Sequence, residues 1–380
     1  MRRAAPVALL LLAALLLAGA GCAEETRILT TSTAGQEQPG HERLSLVYYK
    51  GINEPGTTYW NHLLKDASRL LKGGFNVVAL EPPVLITERA GGKPRVILQG
   101  AEVTVPGVVD DLHREGLAVF LAPTTAGPGF PESLEADDAL LRKLTEDVLG
   151  WADVAEQRQA ELFAPLSRCN LVLGNETCSG WLQEILPALR ERFQGPLAAK
   201  VAADIEEAPT AGGQHDFELL DYRGYDYLVI DIHPWGHVYN EERFRSYVEE
   251  VLDRAEAVAA RDGLKGVIVG DLRLPRNNNL DVKLETGTWL NEEQQAEVAD
   301  MVMALALPRT SGFFFYGWTL SGYGAKGFPV EDILIRNFGG QPHGDDGGGT
   351  TTTGTAGEDP QDAAGGEGQP GTETTIVDSG

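Results

Sequence analysis

Residues 227–269 open on the apolar run Tyr227-Leu-Val-Ile-Asp-Ile232, pass through Asn240 into an amphipathic stretch reaching about Arg261, and end on Val267-Ile-Val269. The first and last runs are apolar at nearly every position, as strands buried on both faces must be. Asn240 is a helix-capping residue, and Phe244, Val248, Val251, Leu252 and Ala255 recur at the spacing of one helix face. Strand, helix, strand is the unit of a parallel sheet, because parallel neighbours need a crossover.

The unit repeats in both directions. Before it, strands are predicted at Leu44–Tyr49, Asn76–Glu81, Leu117–Ala122, Leu162–Leu166 and Leu197–Val201. Between them lie helices at Trp60–Lys72, Val108–Glu115, about 136–156 and Trp181–Phe193, the last despite Pro187. The 136–156 helix carries Leu140, Leu141, Leu144, Val148, Trp151 and Ala155 on one face. After the unit, Asn291 and Gln294 open a helix to Leu305 in capping-box fashion, and Phe313–Tyr316 is the eighth strand. Eight strands, each but the last followed by a helix, predict a single (β/α)8 barrel over residues 44–338. A doubly wound open sheet is the alternative. It would show a Gly-rich phosphate loop after the first strand, and Lys50-Gly51-Ile52-Asn53 is not one.

Both ends read as something other than fold. Residues 1–22 carry Arg2 and Arg3, an apolar run from Val7 to Leu17, and Gly19-Ala20-Gly21-Cys22. That is a secretory signal, too short for a span of about 20 apolar residues. Its last four residues resemble a bacterial lipobox, with Gly19 where Leu is usual, which implies lipid on Cys22. An ordinary signal with a chance Cys is the competing reading. Residues 23–43 are a polar linker. Residues 339–380 hold 13 Gly, 8 Thr and 8 acidic residues without Lys or Arg, a tail predicted to be disordered.

The 380 residues carry 31 Lys+Arg against 56 Asp+Glu, a formal charge of −25, of which the barrel block holds −17. Such a chain has no general affinity for nucleic acid, whose phosphates need a basic surface. It reaches an anionic membrane only through another anchor, and acyl chains on Cys22 would provide one.

In a barrel, chemistry collects at the C-terminal strand ends. Those ends read Tyr49-Lys50, Glu81, Thr124-Thr125, Ser167-Arg168, Asp204, Asp231 with His233 and Trp235, Asp271 with Arg273, and Trp318. Carboxylates facing one mouth, rimmed by aromatics, suit sugar chemistry: one acid protonates the leaving oxygen and another attacks or activates water. The plainer readings are helix caps or ion-pair partners for the acids, rim packing for Trp235 and a core plug for Trp318.

Trp151-Ala-Asp-Val-Ala-Glu156 leading into Glu161-Leu-Phe-Ala-Pro-Leu166, then Trp181-Leu-Gln-Glu-Ile-Leu-Pro187, resembles the fourth-strand region of clan A glycoside hydrolases, closest to endo-galactanase-like and mannanase-like barrels. Asp231-Ile-His-Pro-Trp235, Val267-Ile-Val-Gly-Asp271 and Gly312-Phe-Phe-Phe-Tyr-Gly-Trp318 are similar to their sixth, seventh and eighth strands. The resemblance implies Asp271 at the nucleophile position, where such enzymes have Glu, with His233 beside it. It also implies an Asn-Glu pair after the fourth strand, whose Glu is the acid/base. Here that pair reads Ser167-Arg168, and a guanidinium cannot exchange a proton near neutrality. Asn175-Glu176 lies eight residues on: either a displaced catalytic pair, with Glu176 as acid, or an unrelated loop. Asn175-Glu-Thr177 also matches a glycosylation sequon.

Cys169 and Cys178 bracket that loop. With Cys22 assigned to lipid they are the remaining pair, outside the membrane where disulfides persist, so a disulfide is expected. Two buried thiols are the alternative; a metal is not expected, since only two Cys and no nearby His are present. His233 and His237 have metal-pair spacing, but Pro234 and Gly236 deny them a helix. No cofactor is expected. Two functions stand from these residues: a glycoside hydrolase acting on an extracellular poly- or oligosaccharide, with Asp271 as nucleophile, Glu176 (or Glu81 or Asp204) as acid, and His233, Trp235 and Trp318 positioning the sugar; or a non-catalytic glycan-binding or scaffold lipoprotein, with Arg168 paired to Asp271. A barrel of unrelated function is the third.

Overall fold

The computed structural model describes residues 42–55, 57–86, 95–96, 101–126, 137–203, 216–233, 240–276 and 290–341. The signal with Cys22, nearly all of the linker, Asp204, Trp235, His237 and the tail beyond Gln341 lie outside them. The chain divides into two units, Met1–Pro342 and His343–Gly380, and all that follows concerns the first.

Eight parallel strands form the barrel: β1 Tyr49–Pro55, β2 Val77–Glu81, β3 Ala118–Leu121, β4 Leu162–Phe163, β5 Ala198–Ala202, β6 Tyr227–Ile232, β7 Gly266–Leu272 and β8 Gly312–Tyr316. Their order in the sheet is β4-β3-β2-β1-β8-β7-β6-β5. A parallel bridge between Phe163 and Leu197 brings β4 back to β5 and nearly closes the cylinder. The helices are α1 Thr57–Lys65, α2 Ala67–Lys72, α3 Ala101–Glu115, α4 Asp138–Gln157, α5 Cys169–Leu173, α6 Asn175–Arg192, α7 Glu241–Asp262, α8 Glu292–Ala306 and α9 Pro329–Phe338. A small three-stranded sheet, Pro83–Ile86, Arg95–Val96 and Thr124–Ala126, continues from the ends of β2 and β3.

The core has two layers. Inside the barrel, Tyr49, Phe120 and Phe314 alternate with Ala79, Ala118, Ala122, Ala164 and Ala198, so large side chains fill the space the small ones leave. Gly51 is part of this fit, because a Cβ there would run into the Phe314 ring. Outside, the helices seal the strands: Leu144, Val148, Trp151 and Ala155 of α4, and Phe244, Val248, Val251, Leu252 and Ala255 of α7, are all buried. The α8 capping box forms as expected.

Four readings need correction. The first strand begins at Tyr49 instead of ending there, so it runs on through Asn53 and Glu54. Its two glycine-and-polar positions disguise it, because they interrupt the apolar run. The helix read as Trp60–Lys72 is broken at Asp66 into α1 and α2. Only a 3-10 turn, Phe217–Leu219, is described between β5 and β6, and a helix, α9, does follow β8. Finally, Asn175 and Glu176 open α6 instead of lying in a loop.

Candidate functional site

Register brings the candidate residues to one rim. Pairing sets Asn53 beside Tyr316, Pro55 beside Glu81, and Asp231 beside both Ala202 and Asp271. The β6–β7 ladder shifts between Val269 and Asp271, an irregularity of the kind that re-aims a side chain. Gly270 makes the shift possible: a Cβ there would collide with Val229 and crowd Asp231 and Lys200.

Lys200, in the middle of β5, is the hub. Its Nζ donates to Glu81 Oε1 at 2.5 Å and to Asp271 Oδ2 at 3.0 Å, and lies 3.6 Å from Asp231 Oδ1. Burial alone would push this ammonium down, but Asp231, Asp271 and Glu81 outweigh it and hold it above its ordinary value. Asp271 is wholly buried and accepts bonds on both oxygens. Oδ2 also accepts from Arg273 Nη2 at 2.9 Å, and Oδ1 accepts from Asn53 Nδ2 at 2.5 Å. Burial raises the Asp271 carboxyl, yet Lys200 and Arg273 together hold it well below the usual range. Asp231 goes the other way: burial and the neighbouring Asp271 charge push it well up. Glu81 Oε1 accepts a second bond, from Ser167 Oγ at 3.0 Å.

The peptide after β4 is pinned from both sides. Ser167 N donates to Pro123 O at 2.7 Å, and Arg168 N to Lys200 O at 2.9 Å. Arg168 takes the left-handed conformation (φ 56°, ψ 41°) that caps α5. Asn170 staples α5 to the end of β5, donating to Ala202 O and accepting from Ala202 N, both at 3.0 Å. The Cys169–Cys178 disulfide forms, with Cα atoms 5.6 Å apart, joining α5 to the first turn of α6 rather than fixing a loop.

The structure gathers Glu81, Arg168, His233 and Asp271 at this mouth, and separates others from it. Arg168 does not pair with Asp271: its Nε is 4.0 Å from Asp231 Oδ2, and Arg273 takes Asp271 instead. His233 is pushed down to about 3 by burial and then by Arg273 and Arg168, so it is neutral near pH 7. Glu176 is exposed in the first turn of α6 and makes no hydrogen bond to the cluster among the described residues. Tyr49 starts β1, at the opposite end from the mouth, edge-on to Tyr227 at 5.8 Å. Trp318 is buried against the helices: its Nε1 donates to Asp66 at 2.9 Å and its ring meets Phe75, so the core-plug reading holds. Among the described residues Tyr316 brings an aromatic ring to the site, with the Arg273 guanidinium 4.0 Å over it.

Lys200 and Asn53 escaped sequence reasoning. The signal for Lys200 was present, since a lysine inside Leu197-Ala-Ala-Lys-Val201 must find buried carboxylates. Asn53 was lost with the misplaced first strand.

No protein-family profile and no curated protein matches the sequence. Solved structures do. A GH113 β-1,4-mannanase superposes with a TM-score of 0.57 at 16% identity, over 78% of this chain and 100% of its own. A GH113 β-mannanase from Alicyclobacillus acidocaldarius gives 0.53 at 17%, over 78% and 98%. An endo-β-1,4-mannanase from Thermotoga petrophila gives 0.52 at 11%, over 78% and 77%. The chain therefore has the (β/α)8 barrel fold of the clan A glycoside hydrolases.

Proposed function

We propose that this chain is a carbohydrate-binding lipoprotein on a hydrolase barrel that has given up hydrolysis. The observation that carries the reading is the state of Asp271. A nucleophile needs an oxygen open to the substrate, and Asp271 is fully buried, with its oxygens accepting from Asn53, Lys200 and Arg273. Arg168 stands where a proton donor is required. The carbohydrate ligand is supported by the fold, whose neighbours include mannanases. Lipid on Cys22, after cleavage of residues 1–21, would hold the barrel on the outer face of a bacterial membrane through the polar linker. No helix among the described residues is long and apolar enough to cross a membrane.

One observation favours a second reading, a hydrolase. Asp231 and Asp271 are neighbours whose carboxyls are pushed in opposite directions, the pattern of an acid beside an ionised partner. In that reading Asp231 or the exposed Glu176 is the acid and Asp271 the nucleophile.

A glycan panel separates the two. The binding reading expects saturable binding without release of reducing ends, for wild type and Asp271→Asn alike. Turnover by the wild type that Asp271→Asn abolishes would overturn it in favour of the hydrolase. Lipidation is checked by palmitate labelling in the native host, with Cys22→Ser expected to lose both label and membrane association.

A further inference from the structure

Three cations and three carboxyls share the mouth: Lys200, Arg168 and Arg273 with Glu81, Asp231 and Asp271. Lys200 is spent between Glu81 and Asp271, and Arg273 Nη2 is spent on Asp271. Arg168 is not spent. Its closest carboxylate oxygen, on Asp231, is 4.0 Å away, too far for a hydrogen bond, and its guanidinium makes none among the described residues. It is also the more open arginine, with 24% of its side chain exposed against 11% for Arg273. Arg273 adds a buried Nε with no partner among the described residues, and both Asp231 oxygens lack hydrogen bonds too.

Charge points the same way. Three cations stand against three carboxyls here, and burial and Asp271 push Asp231 toward its neutral form, so the cluster carries none of the chain's negative excess. That balance sits in a chain of formal charge −25. The backbone holds Arg168 there in a conformation that a long side chain adopts at a cost, clamped by its own N–H on Lys200 O.

The geometry points to an acidic saccharide as the ligand, a hexuronate whose carboxylate is received by Arg168 and Arg273 Nε while ring hydroxyls bond to Asp231. This rests on the carbohydrate-binding reading and names its ligand class. A planar guanidinium matches a carboxylate with paired donors, and a charge-assisted bond is about twice as strong as a neutral one. A neutral sugar would offer the Arg168 donors only hydroxyl acceptors, with no charge to match the guanidinium. A simple anion would leave Asp231 unmet.

The test is calorimetric titration of the full chain with tetragalacturonate, its fully methyl-esterified form, mannotetraose and acetate. Arg168→Asn is the variant, because Asn tolerates the left-handed conformation and so keeps the fold; its melting temperature should equal or exceed the wild type's. The expected result is saturable binding of tetragalacturonate, at least about tenfold weaker binding of the ester and of mannotetraose, and loss of that preference in Arg168→Asn. Equal affinity for acid and ester, a preference that survives Arg168→Asn, or acetate matching the oligosaccharide would overturn the acidic-sugar assignment. Of these, binding of mannotetraose with no preference for the acid leaves the carbohydrate reading standing. Binding of no saccharide removes both.

Discussion

Lys200 on β5 and Asp271 on β7 meet at 3.0 Å with neither side chain exposed to solvent. Glu81 is on the same ammonium at 2.5 Å, so the two carboxylates can be no farther apart than those distances laid end to end. Like charges that close coexist only because a cation lies between them. The two acids and the ammonium form one internal salt bridge.

Replacing the hub should therefore be costly. Lys200→Met removes the ammonium that lies between two buried acids, and breaking a buried pair on one side typically costs about 3–5 kcal/mol. Urea denaturation at pH 7 should show the unfolding free energy fall by that amount, with a lower midpoint. A midpoint equal to the wild type's would mean that Lys200 does not hold the mouth together.

Glu54 predicts a pH trend. It lies unexposed in β1, where its Oε2 accepts the backbone N–H groups of Trp318 and Thr319. Burial outweighs these bonds and pushes the carboxyl up to about 7. The folded protein therefore binds this proton more tightly than the unfolded chain, and stability from this group is full below about pH 4 and declines as pH rises toward 7. Glu54→Gln keeps an acceptor for both N–H groups and cannot ionise. Its advantage over wild type should grow from pH 4.5 to 7, reaching at most about 3 kcal/mol. Parallel stability curves for the two proteins would refute the assignment.

The barrel was legible because it is written in periodicity. Runs such as Tyr227–Ile232 and the face of α7 need no partner to be recognised. The site was only half legible. Strand ends gave Glu81, Asp231 and Asp271, but nothing local says that Arg273, not Arg168, would take Asp271. That choice depends on the β6–β7 register shift and on the backbone turn at Arg168. Tyr49 and Trp318 were read as mouth residues for a related reason. A strand displaced by a few residues moves Tyr49 to the other end of the barrel, and a turn after β8 swings Trp318 toward Asp66.

The disulfide should stabilise locally and modestly. It closes a sequence separation of 9 residues around α5. Loop-closure entropy for so short a loop gives about 2–3 kcal/mol. The paired Cys169→Ser and Cys178→Ser variant should lose roughly that in denaturation, and hydrogen exchange should rise first in α5. Asn170 would still tie α5 to β5 through two bonds, so the fold should survive.

The barrel floor should carry an acid-sensitive latch. Glu161, just before β4, accepts from Val119 N at 2.7 Å, from Leu44 N at 3.1 Å, and meets His113 Nε2 at 3.1 Å. Arg43 adds bonds to Ala160 O and Glu156, so residues 43 and 44 are fastened across the end opposite the mouth. Burial raises the Glu161 carboxyl, but His113 and the two N–H donors outweigh it and hold it below its ordinary value. A depressed carboxyl contributes stability that is present above the unfolded value of about 4.3 and is lost as pH falls through the folded one. Glu161→Gln retains one acceptor oxygen and turns an amide toward donors, which should cost about 1–3 kcal/mol at pH 7. Because the wild type also loses the charge in acid, the gap between the two proteins should close as pH falls from 5 to 3. Thermal melts across that range check it, and a gap that stays constant would show that Glu161 acts through packing rather than through its charge.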